Sequence, residues 1–275
     1  MSEFTFTSGE TSSISMSYLK KFNIAMAILH LIQSILVFGL SLIIDEIKNF
    51  SVDIYISKLV IKQLTGTKPI FGPEPEVFFA FENIAGILLA SFLFMSAVAH
   101  FLIAYPLNNS YVENLKNKMN PVRWWEYAFS SSVMIIFISL AFGILDFWVI
   151  ALIFVLNFLM NMFGLLMEKY NQYTTHTNWL PYWLGWIAGI MPWIVILGTF
   201  LSFDLGVDQA IPTFIYVAVV MYFIFFNSFA LNMFLQYKRI GPWKDYLFGE
   251  RGYQILSLVA KSALAWLVFM GLIFA

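Results

Sequence analysis

The segment SLVAKSALAW, Ser257 to Trp266, places a single lysine inside an otherwise apolar stretch near the end of the sequence. This stretch covers about residues 252–274. It is long enough to cross the hydrocarbon layer of a bilayer, because a spanning helix needs about 20 apolar residues. An ionisable side chain in such a span costs about 2.5–3.5 kcal/mol on insertion scales, so Lys261 is a candidate functional residue.

The composition indicates a multi-pass membrane protein. Of 275 residues, 60% are hydrophobic and 11% are charged, whereas soluble domains carry about 25% charged residues. A formal net charge of -1 without a basic stripe argues against nucleic acid as a partner. The absence of cysteine excludes disulfides and thiolate metal sites. The polar N-terminus lacks a positive n-region, so we do not expect a cleavable signal peptide.

The apolar runs predict an all-α bundle of seven transmembrane helices that forms a single domain, residues 1–275. The predicted spans are 22–45, 84–106, 121–145, 147–168, 180–203, 211–236 and 252–274. Asn120 and Pro121 are a typical helix start, and residues 143–146 predict a tight turn between the third and fourth spans. The connection 46–83 includes the alternating segment SVDIYIS, which favours a short β-hairpin.

The distribution of basic residues predicts the orientation. Ten of the fifteen Lys and Arg residues lie on the side of the N-terminus, four lie in the loop 46–83, and Lys261 lies inside the last span. Cytoplasmic loops carry the excess of Lys and Arg. We therefore expect an inverted topology in a cell membrane, with the N-terminus cytoplasmic and the C-terminus extracellular.

More than one turn from the ends of the predicted spans, few ionisable groups are found: Lys261, Glu126, His30 and His100. At about 1.5 Å per residue, and with the lysine side chain directed toward its helix N-terminus, all four reach one layer of the cytoplasmic half. Apart from Asp45 at the outer end of the first span, the outer halves of the predicted spans contain no Asp, Glu, Lys, Arg or His. The polar chemistry is therefore expected in the inner half alone.

A buried lysine favours its neutral, nucleophilic form, which can condense with an aldehyde to a Schiff base. A protonated Schiff base needs an anion, and Glu126 is the carboxylate available by these boundaries. We expect Ser257 and Ser130 to hydrogen-bond this pair. The aldehyde's tail would need an apolar slot beside Met134, for which the following aromatic residues are candidates: Trp183, Trp186, Trp193, Phe214, Tyr222 and Phe226.

These motifs resemble the heliorhodopsin branch of the microbial rhodopsins. RWWEYAFSSS has Arg123 three residues before Glu126, and SLVAK has Ser257 four residues before Lys261, where pumping relatives carry a second carboxylate. His100 in SAVAH and His30 in ILHL match two family histidines. The resemblance extends over essentially the whole chain.

The resemblance implies a light-sensing protein and not an enzyme, with all-trans retinal on Lys261, Glu126 as counterion, and a homodimeric state. It places His30, His100 and Arg123 at a polar cavity that accepts protons. No metal is implied. Near the chromophore it further places Asn157, Gly164, Trp183 and Pro192.

Each of these residues also has a purely structural interpretation. Lys261 and Glu126 could form an ion pair without any ligand, and a single histidine in a span is more often a packing residue. Arg123 could extend to the interface instead of facing the bundle. The aromatic residues are more often packing than pocket at any one position.

The functional prediction is a photocycle of the signalling type without ion pumping. Three turns after Glu126, where a proton donor is expected in a pump, the residue is Phe137. An alternative is a light-gated channel or weak transporter that uses Ser131, Ser132 and Ser139. A further possibility, compatible with light sensing, is regulation of a cytoplasmic partner through loops 107–120 and 237–251.

Overall fold

A computed structural model describes residues 4–65, 68–202 and 213–274. In chain order the elements are β1 (Phe4–Thr5), β2 (Thr11–Ser12), α1 (Met16–Ser41), α2 (Asp45–Lys48), β3 (Val52–Thr65), β4 (Lys68–Phe81), α3 (Ile84–Ala104), α4 (Asn108–Lys116), α5 (Pro121–Ala141), α6 (Phe147–Tyr170), α7 (Leu180–Leu201), α8 (Thr213–Tyr237), a 3₁₀ turn (Gly241–Lys244) and α9 (Tyr246–Phe274). Within the described ranges, seven helices are long and apolar enough to span a membrane, namely α1, α3, α5, α6, α7, α8 and α9.

The junction between α5 and α6 shows how the sequence sets the helix ends. Asn120 caps α5 by accepting a hydrogen bond from the backbone N–H of Arg123, and Pro121 fills the first helical position. Gly143 adopts a positive φ of 80°, which glycine tolerates at no steric cost. Asp146 then caps α6 by accepting from two backbone N–H groups. The predicted turn at 143–146 therefore lies between two well-capped helices.

Four predicted boundaries differ from the structure by several residues: the starts of α1 and α9, and the ends of α1 and α5, which lie at Ser41 and Ala141 instead of residues 45 and 145. α1 begins at Met16 instead of residue 22, because Ser15 caps it by accepting from the N–H of Tyr18. α9 begins at Tyr246 instead of residue 252. Its first turns contain charged residues that a hydropathy pattern excludes from a span, yet Glu250 is fully buried in the bundle.

The bundle has two faces, which we name the N-terminal face and the hairpin face after the segments that cover them. On the N-terminal face, β1 and β2 form an antiparallel pair that was not predicted. Phe4 and Phe6 are buried there against residues of α4 and α9. The N–H of Thr7 donates to the carbonyl of Lys116, and Ser12 Oγ donates to Asp245 at 2.6 Å. This small hairpin therefore ties together segments that are far apart in the chain.

The hairpin face carries the long antiparallel pair β3–β4, in which Val52 pairs with Phe81 and Thr65 with Lys68. The N–H of Tyr55 donates to the carbonyl of Leu145, which attaches the hairpin to the α5–α6 turn. Beneath the hairpin, the largest apolar cluster packs side chains from most of the spanning helices. This half of the bundle is filled by aliphatic and aromatic side chains.

Candidate functional site

Lys261 of α9 and Glu126 of α5 form a buried ion pair, with Nζ and Oε1 2.5 Å apart. Their side chains are 3% and 8% exposed. Ser96 of α3 donates to Glu126 Oε1 at 2.6 Å and also accepts from Lys261. Three helices thus place one cation, one anion and one hydroxyl together in the bundle interior.

Ser96 makes the hydrogen bonds to the ion pair that were expected of Ser130 and Ser257. Ser130 and Ser257 are both buried near the pair, as their helix positions predict. Within the described part of the chain, however, neither hydroxyl has a hydrogen-bond partner. The only signal for Ser96 in the sequence is its position one turn before His100, which is weak because serine is common in spanning helices.

The two histidines lie face to face beside this pair. The rings of His30 and His100 stack with centroids 5.7 Å apart and an interplanar angle of 9°. His100 Nδ1 lies 2.8 Å from Asn23 Oδ1, whereas both ring nitrogens of His30 lack a partner among the described residues. Because buried polar atoms are almost always satisfied by protein or water, this region is suited to hold ordered water.

A small polar cavity extends from this layer toward the N-terminal face. His100 and Glu126 contribute to its wall at one end, and Arg123 and Glu250 contribute at the other. Gln254 lies between them and donates to Asn23 at 3.3 Å. The expected polar cavity next to Lys261 thus includes His100 and Arg123, while His30 lies behind His100.

Arg123 belongs to a buried charge cluster that the sequence analysis missed. It pairs with Glu168 of α6 and Glu250 of α9, and all three side chains are at most 3% exposed. Arg123 therefore does not extend to the interface, and Glu126 is not the only carboxylate buried in the bundle. Asn120 donates to both acids, through its backbone N–H and through its amide.

The two acids lie at or next to the ends of apolar runs, in LLMEKY and FGERGY. Charged residues at such positions are normally solvated, so position alone gave no reason to place them inside. A buried charge must be paired, and Arg123, once inside, requires an anion. The third-span arginine was therefore the signal that could have found them.

An apolar cavity begins at Lys261 and is bordered by Tyr127, Met134, Phe226 and Phe229. A second cavity adjoins it between α6, α7 and α8 and shares Tyr127, Phe226 and Phe229 with the first. Tyr127 also packs below the ammonium group, with Lys261 Nζ 5.3 Å from its ring centroid. An amine at one end and aromatic walls along the rest fit a long apolar aldehyde.

Gly164 of α6 marks a tight point of this cavity. A Cβ at this position would overlap the indole of Trp124, so only glycine leaves room for that ring. Trp193 closes another part of the wall, with its ring centroid 5.4 Å from that of Phe226. A glycine and several aromatic rings thus border the same cavity.

The remaining predicted residues divide into two groups. Asn157 is buried and donates to Ser131 and Ser132, at 2.7 and 3.1 Å, and Pro192 is buried within α7. Trp183 needs a correction, because it is 58% exposed on the outside of α7 and does not line the cavity. Trp186, on the adjacent face of the same helix, lines it instead.

Comparison with known proteins gave one family. The model of the heliorhodopsin family matches residues 19–273, which is nearly the whole chain. No match was found among curated proteins.

Proposed function

Since the chain belongs to the heliorhodopsin family of light-sensing, retinal-binding membrane proteins, we propose that Lys261 binds the chromophore and that Glu126 is its counterion. Retinal supplies an aldehyde that condenses with an amine as a Schiff base, and in its all-trans form a polyene that absorbs visible light and isomerises. The observation that carries the proposal is the buried Lys261–Glu126 pair, whose lysine lines an aromatic cavity. The family is one of photoreceptors and is not a known class of enzyme.

Each residue around the pair has a separate role in this proposal. Glu126 balances the positive charge on the Lys261 nitrogen, since an unpaired charge would be costly at this depth. Ser96 orients the carboxylate through its 2.6 Å hydrogen bond. Tyr127, Met134 and Phe226 exclude water from the apolar end of the cavity.

A proton released at Lys261 would stay in the N-terminal half of the bundle. Glu126 and His100 line the same small cavity and are the nearest acceptors. In the described parts of the spans, the segments between the layer of Lys261 and His30 and the hairpin face contain no Asp, Glu, Lys, Arg or His. A proton therefore has no relay toward that face, which supports a photocycle without pumping.

The channel alternative requires serines that are available to line a wet pathway. Ser131 and Ser132 accept hydrogen bonds from Asn157, and Ser139 donates to the carbonyl of Ile135 on its own helix. These contacts support a structural role for the three hydroxyls. We therefore favour the sensory function, and we assign the N-terminal face, which carries ten basic residues near the spans, to the cytoplasm.

The same proposal assigns the output to the cytoplasmic loops and a homodimer to the other face. The β3–β4 hairpin leaves large apolar side chains exposed, among them Leu59, Ile61 and Phe71. Exposed apolar patches of this kind mark interaction surfaces. A second copy of the chain, side by side in the same membrane and with its hairpin packed against this one, would cover them.

The decisive experiment is the absorption spectrum of the purified protein after addition of all-trans retinal. Wild type should form a band in the visible, Lys261→Ala should form none, and the matched control Lys244→Ala should behave as wild type. Glu126→Gln should destabilise the protonated form of the Schiff base at neutral pH and therefore move absorption toward the ultraviolet. A visible band in Lys261→Ala would refute the attachment site.

Transport is tested on the same protein in sealed vesicles. Illumination should produce no sustained pH change across the membrane and no photocurrent in electrophysiology. A photocurrent that Ser131→Ala reduces would favour the channel, and a light-driven pH gradient abolished by Glu126→Gln would establish a pump.

A further inference from the structure

A polar basin opens on the N-terminal face, separate from the cavity at Lys261. Its volume is about 720 Å³, within the range of about 300–1,000 Å³ that is typical of small-molecule sites. Four segments form its wall: the β1–β2 hairpin, the α4–α5 loop, the α6–α7 loop and the segment around the 3₁₀ turn. These four segments are distant from one another in the chain and meet at the basin.

The basin is strongly basic. Lys116, Lys118, Arg239 and Lys244 line it, against Glu10 as the exposed acid in its wall. Lys118 lies 3.1 Å from Glu10 Oε1, and Arg239 contacts both Glu10 oxygens, at 3.0 and 3.3 Å. One carboxylate is thus shared by two cations.

Lys244 is the basin cation with the fewest ion-pair partners. It forms no ion pair with any residue in the described ranges, whereas Lys116 pairs with Glu113 outside the basin at 3.0 Å. The rest of the wall offers neutral donors, which include Thr7, Ser8, Asn117, Gln172, Thr175 and Thr177. Cations combined with hydroxyl and amide donors are the groups that bind phosphate oxygens.

The floor of the basin reaches the buried charge cluster. Glu168 lines the basin, accepts a hydrogen bond from Tyr246 at 3.2 Å and pairs with Arg123. Arg123 lies one turn before Glu126 on α5, so they share one rigid helix. The basin is therefore connected to the chromophore site through the Glu168–Arg123 ion pair and one turn of α5.

We propose that this basin binds a small anion that carries a phosphate group, as a soluble molecule or as a lipid headgroup. A phosphate would take the place that Glu10 occupies between Lys118 and Arg239 and would recruit Lys244. The binding itself is independent of the proposed light reaction. Only its dependence on light rests on that proposal, since the two sites are joined through Arg123.

The test is calorimetric titration of inorganic phosphate into the protein in phosphatidylcholine nanodiscs, in the dark. Lys244→Gln should weaken binding roughly threefold, the scale of one exposed charge contact. Glu10→Gln should strengthen it, because it releases two cations. Lys21→Gln removes an exposed lysine outside the basin and should change nothing.

The sign of the Glu10 effect is the sharpest part of the test. If only a general electrostatic attraction held phosphate at this face, Lys21→Gln and Lys244→Gln would weaken phosphate binding equally. That result would overturn the proposal. A site for cations would reverse the effect of Glu10→Gln and would also overturn it.

The source of the phosphate is resolved by lipid composition. If a lipid headgroup fills the basin, nanodiscs that contain phosphatidic acid should suppress phosphate binding in wild type and less so in Lys244→Gln. If the ligand is soluble, phosphatidic acid should have no effect. When Lys244→Gln changes neither free phosphate binding nor this competition, no anion site exists here.

Lys261→Ala separates this proposal from the proposed function. Phosphate binding in the dark should persist in Lys261→Ala. In wild type, illumination should change the phosphate affinity, and in Lys261→Ala it should not. If wild type forms its visible band and binds phosphate in the dark, but illumination leaves its phosphate affinity unchanged, the coupling through Arg123 is refuted and the anion site still stands.

Discussion

The two halves of the bundle are built on different principles. Toward the N-terminal face, a few polar contacts each join two or three helices, as Arg123 does with Glu168 and Glu250. Toward the hairpin face, many apolar side chains such as Ile135 and Phe269 share the packing. The difference teaches that the polar half depends on single residues, whereas the apolar half distributes its stability over many contacts.

The largest effect should come from Arg123→Met. Removal of the arginine leaves Glu168 and Glu250 buried without a cation, which costs about 3–5 kcal/mol for a broken buried ion pair. The free energy of unfolding in detergent measures this. Lys21→Met, a change of the same chemistry at an exposed site, should have little effect.

A triple variant sharpens that result. Arg123→Met combined with Glu168→Gln and Glu250→Gln removes the charges together and should recover part of the lost stability. If Arg123→Met alone lowers the free energy of unfolding by less than about 1 kcal/mol, Arg123 does not contribute the stability expected of a buried ion pair.

The next effect should come from Ser96→Ala. The hydroxyl contacts both Lys261 and Glu126, and hydrogen bonds to charged groups contribute about 1.5–3 kcal/mol. We expect lower stability together with a shifted absorption band. Ser91→Ala is the control, because Ser91 Oγ donates only to the backbone of its own helix. A shift in Ser91→Ala as large as in Ser96→Ala would contradict the specific role.

A smaller effect is expected in the apolar half from Ile135→Val. Removal of one buried methyl group costs about 0.5–1.5 kcal/mol, and the absorption band should not move. Ile136→Val, at a partly exposed neighbouring position, should cost less. A spectral change in Ile135→Val would show that the two halves are not independent.

The smallest effect concerns pH at the N-terminal hairpin. Burial raises the pKa of Glu10, but the hydrogen bonds and charges of Lys118 and Arg239 lower it by more, so it lies below the ordinary 4.5. A carboxyl with a lowered pKa in the folded state stabilises that state above its unfolded pKa. This contribution is lost as pH falls through the folded pKa, below 4.5.

Exposed ion pairs of this type contribute roughly 0.2–1 kcal/mol. Hydrogen exchange of residues 4–12 should therefore accelerate slightly as the pH falls below 4.5, after correction for the intrinsic rate. Glu10→Gln should show the faster exchange already at neutral pH and no further step. An unchanged acid step in Glu10→Gln would assign it to another group.

The apolar half was the more predictable of the two. Hydropathy alone located seven spans, and local capping chemistry at Asp146 fixed the start of α6 on the hairpin side. These features depend on neighbouring residues in the chain, so a single sequence contains them. Pairing of Lys261 with Glu126 was also predictable, because both positions follow from depth along straight helices.

The polar half could be predicted only in part, because its contacts join residues distant in sequence. Ser96 gives no charge signal, and the acids paired with Arg123 lie where solvated acids are common. Trp183 and Trp186 differ by about 60° around the axis of α7, and only the packing of neighbouring helices decides which of them turns inward. Helix rotation is a tertiary property.

One helix crosses the boundary between the two halves. α5 carries Arg123 and Glu126 near its start and Phe137 near its end, and the turn that follows it holds the β3–β4 hairpin through Leu145. Because an α-helix is stiff, α5 can transmit a rotation from one half of the bundle to the other. A twist applied at Glu126 would displace the Glu168 contact on one face and the hairpin anchor on the other within the same motion.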